Sequence, residues 1–428
     1  MINFFKKIIK TPHFILLTTS NGSAALNFIA NVLIIKNLTP EDAATFLSVA
    51  AVPPVVYAVF SFVPYKMTST VVEGIVKTGE EGSKKTVSRL FDIHLVLTFS
   101  WTLLLLIFSV PISKFLQIDN GFLLSGLFVV LFFTAQINFI AGVLQGLEKY
   151  FFLGLKDILI SFGKVLALIL LFYISNYKTV WSPLFSEAIA IVCVLLLLAL
   201  TFRRYLFHKM DRSIQRPHLF NQCVNFFSAS WVEIGGVAII AVVTSFDVLL
   251  TKHLLPATQA GIVIAASTYS KIVFFTSGAI PSVVYIFTAK YQALGQREKL
   301  RRAAISAFLL VFVIGGGVAG ALEYGKEWLM GHMYGEHYVN AQAFTPYFLI
   351  YMLFTSLTVL MINFLMAKKW LVPLAFLLLT HVFFGAYMSL CSEITPLFLA
   401  QGYAAFSLLN ILITAGFLAW RAKNRPFF

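Results

Sequence analysis

The chain alternates long apolar blocks with short polar turns, and the blocks have the length of membrane-crossing helices. A spanning helix needs about 20 apolar residues. Six such blocks fall at 14–35, 43–65, 90–112, 122–145, 152–175 and 183–202. Six more fall at 220–243, 257–287, 303–322, 343–366, 371–390 and 395–420. Runs such as 95–110 lack the period-two alternation of a membrane-spanning strand, which excludes an outer-membrane barrel. The pattern predicts an all-α polytopic membrane protein of about 12 transmembrane helices.

Composition supports this reading. Of 428 residues, 59% are hydrophobic and 12% charged, with a mean hydropathy of +0.86. Soluble domains carry about 25% charged residues, so a water-soluble globule is excluded, and a chain this apolar is not disordered. A net charge of +14 would point to nucleic acid in a soluble protein. Here the basic residues instead collect in alternate connections: Lys6, Lys7 and Lys10, the turn 77–89, Lys149 and Lys156, the stretch 203–216, the turn 290–302, Lys368 and Lys369, and the end 421–425. The intervening connections hold only Lys36, Lys114, Lys178, Lys252 and Lys326. The positive-inside rule then places both termini in the cytoplasm, makes the number of spans even, and leaves the bilayer, not nucleic acid, as the partner.

Other signals are spare. Cys193, Cys223 and Cys391 are far apart and match neither a disulfide framework nor a metal site, and His94, His253 and His381 are isolated. No phosphate-cradling loop occurs, and no cofactor is implied. Residues 1–14 read either as a short amphipathic helix on the inner leaflet or as a basic leader to the first span. No connection is long enough to form a domain, which weighs against a glycan-polymerising enzyme.

The two halves echo each other. Lys36, Leu38, Pro40 and Ala44 match Lys252, Leu254, Pro256 and Ala260 at an offset of 216, which also pairs Gly79 with Gly295 and Asn31 with Asp247. A further echo sets Glu148, Lys149 and Tyr150 against Lys368, Lys369 and Trp370. The chain therefore divides into an N-terminal six-helix lobe (1–207), a basic connector (208–219) and a C-terminal six-helix lobe (220–428). Six spans per lobe make the repeat parallel, a transporter plan that puts the substrate site between the repeats.

The shared outer turn, together with the stretches 245–250, 255–261 and 142–150, resembles the multidrug/oligosaccharidyl-lipid/polysaccharide (MOP) exporter superfamily and its polysaccharide-transporter branch. The resemblance implies a flippase that carries a lipid-linked (undecaprenyl-pyrophosphate) oligosaccharide across the bacterial cytoplasmic membrane by alternating access, alongside glycan-assembly enzymes. It departs from lipid II flippases, which usually have fourteen spans. It departs also from drug antiporters with an acid in span one, where this chain has Asn21, Asn27 and Asn31. An ion-coupled drug or organic-cation antiporter on the same fold remains the alternative, and a non-transporting scaffold a third reading.

A charge deep in a bilayer is costly and marks a functional site by default. Lys66, Lys164 and Lys271 are the cations so placed, and they are expected at a substrate cavity. Lys164 stands about 16 Å into its span at 1.5 Å per residue, too deep for snorkelling alone. Neutralising Lys164 or Lys271 is expected to weaken transport while sparing the fold. Glu187, Glu233 and Asp247 are the acids, expected either to couple an ion or to pair with lysines. Tyr57, Trp101, Tyr269 and Tyr285 are candidate platforms for sugar faces or else packing residues. The spacings Gly142/Gly146 and Gly316/Gly320 predict close helix packing, and Pro53, Pro54, Pro64 and Pro281 predict kinks.

Overall fold

Proline and threonine set where the helices begin. The computed structural model describes residues 12–118, 121–206 and 231–424, apart from some positions between 279 and 293. The side chains of 12–17, Tyr65, Glu233, Arg297, Leu371 and 419–424 are also outside the described set. Helix α1 (Pro12–Asn37) is followed by α2 (Pro40–Val56), where the Thr39 hydroxyl accepts the Asp42 amide at 3.2 Å. Proline suits the first helical position because the amide it lacks has no helical partner there.

Helix α2 then breaks. Pro53 and Pro54 remove amide donors and Pro64 starts the next helix, leaving a tight turn at Ala58–Phe60 before α3 (Val63–Phe115). The indole of Trp101 donates to the freed Val56 carbonyl at 3.1 Å. A second interruption lies within α3 at Gly79, whose φ of 72° only glycine adopts without strain. Its repeat partner Gly295 has φ 65°.

The remaining helices are α4 (Gly121–Gly146), α5 (Tyr150–Ile169, extended by a wide turn Leu170–Ile174), α6 (Trp181–Thr201) and the short α7 (Arg203–Leu206). After the undescribed 207–230 come α8 (Trp231–Leu254), α9 (Ala257–Ser277), α10 (Arg297–Tyr334), α11 (Thr345–Ala367), α12 (Leu371–Leu390) and α13 (Pro396–Asn424). Among the described residues ten helices are long and apolar enough to cross a membrane. The first two expected spans are α1 and the broken pair α2–α3. The architecture is an all-α polytopic membrane fold.

Three expectations shift. Span seven runs on to Leu254 instead of ending at 243, because its apolar register continues to the turn before Pro256. The loop expected at 323–342 is helical to Tyr334 and then a tight helix (Glu336–Ala343), because Met330 and Tyr334 extend the apolar face of α10 and are buried. The third echo moves by one residue. Glu148 and Lys369 both adopt positive φ (57° and 55°), and the amides following them, of Lys149 and Trp370, reach back to Leu144 and Leu365 at 2.9 and 3.0 Å. Both helices end in the same left-handed cap.

The chain forms two compact units, Met1–Ala30 with Val56–Ile234, and Asn31–Val55 with Gly235–Phe428. Within the first, α4 lies against α3 so closely that a Cβ at Gly142 would fall 2.6 Å from the Pro64 carbonyl oxygen, and one at Gly146 would fall 2.6 Å from Val71 Cβ. Ser161 on α5 ties down α1 through Ser23 (2.7 Å) and Asn27 (2.9 Å). The Tyr205 hydroxyl of α7 donates to Glu80 at 2.9 Å. Burial first, and that bond second, push the phenol up to about 12, so it remains a donor. The second unit centres on Tyr269, Phe348, Tyr351 and Tyr403, all buried among α8, α9, α11 and α13. Among the described residues a Cβ at Gly316 or Gly320 would meet nothing within 4 Å, so the close packing expected of them is absent there. Gly315, whose Cβ would stand 2.8 Å from Leu353, makes the close approach instead.

Candidate functional site

Helix α9 organises the site. Thr268, Lys271 and Phe275 follow one another at three- and four-residue spacing, hence on one helix face. That face borders a cavity of about 270 Å³ in the second unit. Asn31 of α1, Thr244 and Ser245 of α8, and Thr355 of α11 add polar groups to a wall that is otherwise mostly apolar, with Pro54 of α2, Phe274 of α9 and Met352 of α11 among its apolar members. That volume leaves room for an anionic group beside Lys271. Lys271 is the single formal charge among the described lining residues.

The ammonium of Lys271 lies 3.6 Å from Asp247 Oδ2, and the Asp247 side chain is fully buried. Ser267, one turn before Lys271 on α9, donates its hydroxyl to that same oxygen. Asp247 Oδ1 has no hydrogen-bond partner among the described residues. The Asp247 main chain is fixed by the Tyr403 hydroxyl, which donates to its carbonyl at 3.0 Å and lies 3.2 Å from the Thr251 hydroxyl. Asn31, the repeat partner of Asp247, supplies an uncharged amide to the cavity wall.

The first unit carries a separate pair. Lys164 on α5 donates to Glu187 Oε2 on α6 at 3.3 Å, both side chains being largely buried. Each of the two deep lysines therefore has an acidic partner, which changes the expectation that removing either spares the fold: the carboxylate left behind would be unpaired in an apolar span. Lys66 is half-buried at the start of α3 and pairs with no acid among the described residues. The Glu233 side chain and Tyr285 lie outside the described residues, as do residues 1–11, read as an amphipathic helix or a basic leader, the connector 208–219 and Cys223.

The aromatic candidates separate by contact. Trp101 serves the break after α2, and the Tyr57 hydroxyl is buried without a described hydrogen-bond partner. Tyr269 donates to the Leu322 carbonyl at 2.8 Å and packs in the core, away from the cavity wall. Sequence reasoning missed the hydroxyls of Thr244, Thr268, Thr355 and Ser267. Their signal was present: Thr268 and Ser267 stand three and four residues before Lys271. Among the described residues no three His, Cys, Asp or Glu side chains gather in a metal site.

No family model and no curated protein sequence matches the chain. Solved structures match over almost its whole length. An inward-facing structure of a multidrug resistance MATE family transporter of the MOP superfamily aligns with a TM-score of 0.70 at 13% identity, covering 96% of this chain and 99% of that one. The fold is MATE-like. An outward-facing structure with the same family description gives a TM-score of 0.66 at 13% identity over 97% of both chains. A MATE structure in the bent conformation gives 0.58 at 13% identity over 96% of both chains. The fold implied by the family resemblance is thus the observed one, and at this identity the likeness extends to fold alone.

Proposed function

We propose that the protein is a MOP-type transporter of the bacterial cytoplasmic membrane, with both termini cytoplasmic, that moves an undecaprenyl-pyrophosphate-linked oligosaccharide between leaflets by alternating access. The observation that carries this reading is Lys271, the one formal charge among the described lining residues, with hydroxyls and an amide beside it in a largely apolar wall. A lysine is a point charge suited to phosphate, and the hydroxyls of Thr244, Ser245, Thr268 and Thr355 in an otherwise largely apolar wall can meet a head group while the lipid tail stays in hydrocarbon. Flipping makes and breaks no bond, so nothing in this reading calls for a nucleophile or a general base. Glycan-assembly enzymes of the same membrane are the partners that would supply and consume such a cargo.

A second reading has its own support. The matching solved structures are multidrug transporters, and Asp247 is a buried acid beside the cavity lysine. Both features suit an ion-coupled exporter of organic cations, and the fold likeness taken alone favours it. Lys271 in the cavity wall supports the first reading, because its ammonium repels an organic cation.

The test in cells is outer-leaflet exposure of the lipid-linked glycan. Cells making the glycan should lose exposure when the protein is removed and regain it on complementation. Unchanged exposure, or loss of resistance to organic cations instead, overturns the flippase reading.

A further inference from the structure

Lys271 stands between two claimants. The residue lines the cavity, and its ammonium lies 3.6 Å from a buried carboxylate. That separation exceeds hydrogen-bond length, whereas Lys164 reaches its own acid at 3.3 Å. The oxygen nearest Lys271 is already taken by the Ser267 hydroxyl, and the other carboxylate oxygen has no hydrogen-bond partner among the described residues. Asp247 cannot follow a departing lysine, since its backbone is tied to Tyr403 and its carboxylate to Ser267. The lysine, on a flexible four-carbon stem, is the mobile member.

We propose that Asp247 acts as an internal competitor for Lys271, holding the ammonium in the absence of cargo, yielding it to an anionic head group, and reclaiming it as the cargo leaves. This rests on the anionic-cargo reading above and assigns Asp247 a positioning role within it. A transporter must bind firmly enough to load and loosely enough to release. A lone buried lysine would hold pyrophosphate without relief. A tethered carboxylate lowers the net gain from binding, because the pair must part before the cargo can be held. Ser267 tunes the competition, since its hydroxyl neutralises part of the charge on the shared oxygen. A purely structural pair, by contrast, would make loss of either partner harmful in the same direction.

The experiment is equilibrium binding of farnesyl pyrophosphate to the full chain in detergent, with thermal unfolding of each variant alongside. Lys271→Ala should weaken binding and Asp247→Asn should tighten it, each about tenfold, the scale of one partly buried charge interaction. Ser267→Ala leaves every cavity-lining residue in place and should weaken binding about threefold, because the carboxylate then holds Lys271 more strongly. Asp247→Asn binding that is unchanged or weaker, while Lys271→Ala still loses the probe, overturns the competition and leaves the cargo reading standing. Should Asp247→Asn fail to fold, Ser267→Ala decides: unchanged or tighter binding overturns the proposal. Wild-type protein that does not bind the probe overturns the anionic-cargo reading and the competition with it.

Discussion

An ionised side chain inside an apolar helix is tolerated when its partner lies close, and removal of one member exposes the cost of the other. For Lys164 and Glu187, Lys164→Ala should destabilise the folded protein by about 2–4 kcal/mol, since it strands a largely buried carboxylate. Replacing both residues with methionine should recover most of that loss, because a packed apolar pair needs no solvation. Thermal unfolding of the two variants and the wild type in one detergent measures both effects. A Lys164→Ala variant as stable as wild type would contradict the pairing. The lysines were legible as isolated charges in apolar blocks, but their partners were not. Lys164 and Glu187 lie on different helices, as do Asp247 and Lys271, and their pairing depends on helix faces that periodicity leaves open in helices apolar nearly all round.

At the scale of elements, small residues act through the surface they face. Gly142 is pressed on the Pro64 backbone, so Gly142→Ala should cost about 1–3 kcal/mol through overpacking. Gly316 faces open space inside α10, so Gly316→Ala should be neutral or stabilise by about 0.5–1 kcal/mol through helix propensity. Unfolding midpoints of the two variants test the contrast, and equal shifts would contradict the packing described. The same GxxxG spacing thus carried two meanings, because spacing fixes which residues share a face but not what that face meets. Prolines were better guides: Pro53, Pro54 and Pro64 marked the break that Trp101 closes, since a missing amide acts locally whatever the surroundings. Helix ends were harder, and α10 overran its apolar block because Met330 and Tyr334 bury beyond a polar stretch.

For the whole molecule, the repeat was the most informative feature of the sequence. The offset linking Pro40 to Pro256 and Gly79 to Gly295 reappears as matched turns, and the two-lobed plan was read from it. The cavity was only partly legible: Lys271 stood out as a charge and Asn31 as the repeat partner of Asp247, while the threonines and serine of its wall looked like ordinary helix composition. The central claim is that this fold carries an anionic lipid-linked cargo past Lys271. Its most direct test is translocation of a fluorescent sugar-bearing isoprenyl pyrophosphate in proteoliposomes, read by quenching of the outer leaflet. Wild-type protein should move the lipid faster than protein-free vesicles, Lys271→Ala should slow it about tenfold, the equivalent of ~1.4 kcal/mol, and Lys271→Arg should retain more activity than Lys271→Ala. Translocation no faster than in protein-free vesicles, or equal rates for wild type and Lys271→Ala, would contradict the account.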